Sequence, residues 1–146
     1  MAGYGAGEER RNKTIRWIIL SALLVAILGG IGYFQFRNYQ EEKQVTTFLD
    51  VLKRGDYKAA YAMWGCTDSQ PCPQYAFNKF MEDWGPQSQH ANVASAKLAK
   101  TKSCDSGIIK IVEFPGHDDV QLWVERRDKV LGFAPWPVCN PRMQVP

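Results

Sequence analysis

The chain has 146 residues, with 18 Lys and Arg against 15 Asp and Glu, four Cys, two His and five Trp. That length suits one domain, and 45% hydrophobic with 23% charged residues excludes wholesale disorder. A net charge of +3 is too small to argue for nucleic acid. Residues 1–16 hold four basic and two acidic side chains, whereas residues 37–146 hold fourteen and thirteen. The larger part is almost neutral, so neither nucleic acid nor an acidic polymer is an expected partner.

The first twelve residues carry Gly3, Gly5 and Gly7 and almost no apolar bulk. Residues 1–16 therefore read as a disordered tail. Residues 17–34 (WIILSALLVAILGGIGYF) contain no charge. As a helix they extend about 27 Å, close to the thickness of a hydrocarbon core. Arg16 and Arg37 bracket them, and Trp17, Tyr33 and Phe34 lie near the two ends, where interfacial aromatics belong. The reading is a transmembrane helix over residues 17–36. Four basic residues precede it within seven positions. Arg37 and Lys43 follow, diluted by Glu41 and Glu42. That bias keeps the tail cytoplasmic and puts residues 37–146 outside, which makes this a single-pass protein of the cytoplasmic membrane with a periplasmic or other extracytoplasmic domain. A cleaved signal peptide is the competing reading, with Gly30 and Gly32 as a small-x-small site, but the apolar run exceeds a normal signal core. Ala22, Ala26 and Gly30 share one face at four-residue spacing, which permits close helix–helix approach in lipid.

All four cysteines, Cys66, Cys72, Cys104 and Cys139, follow the apolar run. An even number in an exported domain suggests two disulfides. Four cysteines allow three pairings. Cys66–Cys72 closes a short loop cheaply, which leaves Cys104–Cys139. No CxxC occurs, and His90 and His117 have no zinc-ligand spacing to the cysteines, so neither a metal site nor thioredoxin-like chemistry is expected.

Three segments then repeat one amphipathic template: Val45, Phe48, Leu49, Leu52; Tyr57, Ala60, Tyr61, Trp64; Phe77, Phe80, Met81, Trp84. Each is a helix with one apolar stripe. Gly55 and Asp56 punctuate the first two, and Gly65 ends the second. Pro73 suits the first turn of the third, and Gly85-Pro86 stops it. Nothing between Arg37 and Glu42 breaks a helix, so the first can run on from the apolar span. After Pro86 the period becomes two. Ala94, Ala96 and Leu98 alternate, residues 108–114 (IIKIVEF) form a central strand, Val120, Leu122 and Val124 alternate, and residues 130–134 (VLGFA) complete four strands. Pro135, Pro137 and Pro141 end regular structure. The outer domain is α+β: three helices covering one face of an antiparallel sheet. In a plain meander Cys104 and Cys139 fall at opposite strand ends, about 23 Å apart. They meet only if the sheet curls strongly or the tail doubles back.

The stretch TFLDVLKRGDYKAAYAMW (residues 47–64) resembles the opening of NTF2-like domains, cystatin-like cones in which helices wrap a curved sheet. A helix ending in Lys-x-Gly-Asp-Tyr followed by Ala-Ala-Tyr is similar to their bacterial envelope branch. The resemblance extends over residues 41–136. It implies a cone whose cavity holds a substrate, holds a ligand or is filled by side chains. Relatives similar to ketosteroid isomerases and SnoaL-type cyclases place an acid or base among buried strand residues. No residue here matches, since Asp118 and Asp119 fall in a turn and Glu113 and Glu125 near strand ends.

No catalytic, cofactor-binding or metal residues are therefore assigned. His117-Asp118-Asp119 reads as a polar turn after Pro-Gly, and His90 as a loop residue. No GxSxG occurs, and the glycines at 29, 30 and 32 lie inside the apolar span. Trp64 and Trp84 occupy core-stripe positions and are candidates to line a cavity. Trp123, beside Gln121 and Glu125 on one strand face, is the candidate contact aromatic. The expected function is a non-enzymatic, membrane-anchored accessory or scaffolding subunit of a larger membrane complex or a homo-oligomer. The alternatives are a tethered small-ligand-binding module and, less favoured, an isomerase- or cyclase-like enzyme.

Overall fold

The computed structural model describes residues 2–67 and 69–139, with side chains from Gly7 onward. Asp68 and residues 140–146, including Pro141, lie outside the described residues. The chain divides into one unit ending at Arg37 and a second beginning at Asn38.

The first unit is helix α1, Ala2–Phe36. The structure carries it back to Ala2, so residues 2–16 of the segment expected as a disordered tail are helical. Its apolar stretch has mean hydropathy 2.2 and none of it is buried. Trp17, Ile18, Leu24, Val25, Leu28 and Phe34 are all exposed. One helix is thus long and apolar enough to cross a membrane.

Arg37 and Asn38 form a turn, so the helix that follows is a separate element rather than a continuation. Helix α2 spans Tyr39–Lys53, α3 Tyr57–Ala62 and α4 Phe77–Trp84. Glycine at position 55 adopts φ +72°. Its N–H donates to Leu52 O, and the Asp56 N–H donates to Val51 O, closing a Schellman motif at the end of α2. Asp56 Oδ1 then accepts from the Ala59 N–H and caps α3. Pro73 lies before α4, outside its first turn. There the Cys66–Cys72 disulfide and the Cys72–Tyr75 bridge hold a reverse turn, and the helix starts only at Phe77.

A 3-10 turn at Val93–Ser95 precedes the sheet. Strands β1 (Lys97–Ser103), β2 (Gly107–Glu113), β3 (Val120–Glu125) and β4 (Leu131–Phe133) pair antiparallel in chain order. Ile108 pairs with Val124, Lys110 with Leu122, and Val112 with Val120, so these six side chains share the face that meets the helices. There Val45, Phe48, Leu52, Tyr61, Phe80 and Trp84 pack against Ile108, Val112, Leu122 and Val124 in one core. The fold class is α+β, as expected, with an open four-stranded sheet.

Both disulfides are formed, Cys66–Cys72 and Cys104–Cys139. The register leaves Cys104 at the end of the sheet where β4 begins, not where it ends. The tail after β4 doubles back to reach it. Ala134 N–H donates to Gln121 O, and then Lys102 Nζ, on the opposite edge strand, donates to Pro137 O. Lys102 pairs with Ile109 and Ile109 with Trp123, which places this crossing on the face away from the helices.

Candidate functional site

An open cleft of about 430 Å³ lies at the end of the sheet where β4 exits. Three segments converge on it. The loop after α4 supplies Gln89 and His90, the β2–β3 connection supplies Asp118 and Asp119, and residues 133–137 form the remaining wall.

Local chemistry fixes each segment. Phe114, Pro115, Gly116 and His117 make a type II turn, with Gly116 at φ +80° and the His117 N–H donating to Phe114 O. This turn carries Asp118 and Asp119 to the rim, both exposed. His90 is anchored by a 2.8 Å hydrogen bond from Nδ1 to Asp83 O. A carbonyl only accepts, so Nδ1 carries a proton. The ring packs against Phe114 at 4.7 Å and Trp84 at 5.0 Å. Pro135 and Pro137 stiffen the far wall, and the Cys104–Cys139 bond ties its end down.

The structure thus brings His90, Asp118 and Asp119, from two loops well separated in sequence, to the lining of one cleft. His117 does not line the cleft. Among the described residues no group of three or more His, Cys, Asp or Glu could hold a metal ion.

The other sequence candidates fall elsewhere. Trp64 and Trp84 are 7% and 1% exposed and belong to the packed aromatic core. Phe48 lies 5.0 Å from Trp84 and 5.9 Å from Trp64. They fill space between sheet and helices. Their indole nitrogens are buried without an acceptor in hydrogen-bonding geometry, although the Trp84 indole slightly favours the ionised Tyr75. Burial first, and then the Asp83 carboxylate that accepts from its hydroxyl at 2.7 Å, push the Tyr75 pKa far above its ordinary value. Trp123 is half-buried on the outer face. Its ring covers Gly107 so closely that a Cβ there would sit 2.5 Å from Trp123 Cζ2. Ala22 and Ala26 are exposed on α1, and a Cβ on Gly30 would meet nothing within 4 Å.

Among the described residues two buried charged side chains escaped the sequence reading, Glu41 at 5% and Lys110 at 6% exposure. Glu41 Oε1 lies 3.2 Å from Lys129 Nζ and 3.6 Å from Arg126 NH1. Arg126 also donates to Asn38 Oδ1, Ser103 Oγ and Cys104 O. Lys110 projects from the helix-facing side of β2. A β-bulge in β1 between Leu98 and Thr101 lets its ammonium reach Ala99 O at 3.0 Å and Thr101 Oγ1 at 2.8 Å. Glu42 Oε2 lies 4.0 Å away. Signals for both were present. Glu41 precedes Val45 by four, on the same stripe, and Lys110 alternates with Ile108 and Val112.

No protein-family model, no curated protein and no solved structure matches this chain.

Proposed function

We propose that this protein is a non-enzymatic, single-pass accessory or scaffolding subunit of the cell-envelope membrane. Its tail faces the cytoplasm, and an NTF2-like domain on the outer side mediates protein interaction. The observation that carries the reading is α1: large apolar side chains point outward all around it, and only lipid or another membrane helix satisfies such a surface. The four basic residues ahead of the span support the orientation. Two disulfides support an oxidising compartment for the domain. The order of helices and then four consecutive strands supports the cone. The buried charges, Glu41 and Lys110, are held by ion pairs and hydrogen bonds, which supports a structural use for them. Ala22, Ala26 and Gly30 supply the face for a helix partner.

Extraction in mild detergent with a C-terminal tag, followed by native mass measurement and identification of what co-purifies, tests the proposal. A stoichiometric membrane complex or a homo-oligomer is expected. An intact monomer that comes alone overturns it.

The cleft favours a second reading, a tethered ligand-binding module. It moves the binding surface from Trp64 and Trp84 to the mouth formed by His90, Asp118 and residues 133–137.

A further inference from the structure

We propose that this cleft is a binding site for an organic cation, an alkylammonium or guanidinium group. Among the described residues two carboxylates, Asp118 and Asp119, line it and no Lys or Arg does, and the Lys102 ammonium at the end of the wall is taken up by Pro137 O. Aromatic rings complete the chemistry. Phe133 packs against Trp64, Tyr75 and Trp84, with ring centroids at 4.8, 5.8 and 6.1 Å, yet remains 42% exposed. Trp136 is half-buried in the same wall. A cation set against an aromatic face and paired with a carboxylate gains from both. An anion would meet two like charges, and a wholly apolar ligand would strip water from carboxylates without replacing it.

The recess is pre-shaped. The Pro135 and Pro137 rings fix the wall, Lys102 holds Pro137 O from across the sheet, and the Cys104–Cys139 bond closes the tail. Its volume, about 430 Å³, suits a side-chain-sized or small-molecule cation. The inference goes beyond the accessory role and does not depend on it, so an empty pull-down leaves it standing.

The test uses the full chain in nonionic detergent, with ligand-observed NMR titrations. The probes are N-acetyl-arginine amide, its neutral counterpart N-acetyl-citrulline amide, and spermidine. Saturable binding of a cation is expected, about tenfold or more tighter than the citrulline compound and weakened by salt. The double variant Asp118→Asn/Asp119→Asn should lose at least about tenfold in affinity at an unchanged melting temperature. Trp136→Ala should weaken binding independently should the double variant prove unstable. Preference for the arginine amide assigns a protein side chain as the natural source, and preference for spermidine assigns a free polyamine. Equal binding of the citrulline compound overturns the proposal. So does affinity unchanged in both variants, or no saturation by either cation at about 20 mM.

Discussion

Arg126, in the turn after β3, closes onto Glu41, in the first turn of α2, with NH1 3.6 Å from Oε1. The carboxylate is 6% exposed and its two cationic partners 23% and 29%. Breaking a buried pair from one side leaves charge uncompensated. Glu41→Ala should cost about 2 kcal/mol, less than for a fully buried pair because both cations keep some water. Urea unfolding of the variant against the parent measures it. A loss below about 0.5 kcal/mol would make the contact an ordinary surface pair.

Lys110 separates charge from shape. Its stem lies among core residues while its ammonium is held by the β1 bulge. Lys110→Met keeps the volume and removes the need for partners, so it should stay within about 1 kcal/mol of the parent. Lys110→Ala leaves a cavity and should lose about 2–4 kcal/mol. Thermal melts of the two variants side by side distinguish these outcomes.

Gly107 tests the Trp123 lid. A Cβ there would lie 2.4 Å from Val124 O, a backbone atom that cannot step aside, and 2.5 Å from the Trp123 ring. Gly107→Ala should destabilise by about 1–3 kcal/mol through overpacking. A shift in tryptophan emission should accompany the loss.

Tyr75 sets an alkaline limit. Its folded pKa is raised, chiefly by burial, whereas in the unfolded chain it titrates near 10. Above that pH the unfolded state has lost the proton that the folded state still holds. The stabilisation is therefore complete below about pH 10 and declines as pH rises beyond it. Tyr75→Phe should flatten the stability profile above about pH 10 relative to the parent, the other groups titrating identically in both. Parallel slopes would show that the hydroxyl ionises freely in the folded protein.

The two disulfides should differ in weight. Sequence separations of 35 and 6 predict losses of about 4 kcal/mol for Cys104→Ser/Cys139→Ser and about 2 kcal/mol for Cys66→Ser/Cys72→Ser on chain entropy. Only the first should also abolish cation binding, since it frees the cleft wall. Melts and the same NMR titration on both variants check this.

The amphipathic stripes made the helices legible and the period-two runs marked β2, β3 and β4. The alternation of Ala94, Ala96 and Leu98 placed the first strand too early, since residues 93–95 form a 3-10 turn and β1 starts at Lys97. Gly55-Asp56 marked a boundary that the Schellman hydrogen bonds occupy. The start of α4 was misread because Pro73 suits a helix N-terminus locally, whereas the neighbouring disulfide imposes a turn. The cleft was not legible. His90 and Asp118 belong to separate loops, and only the path of the tail makes residues 133–137 their neighbours. The cysteine geometry carried the one hint, since it required the tail to double back.

That return path orders events in time. Every pairing in the sheet joins neighbours along the chain, so contacts are local and a sheet of this kind assembles quickly. The Cys104–Cys139 bond requires the segment beyond the last strand to cross back to the first edge. It is thus a clasp fastened onto a sheet already built, and an oxidant meeting the chain earlier finds Cys66 and Cys72 close together in sequence while Cys104 still waits for its partner.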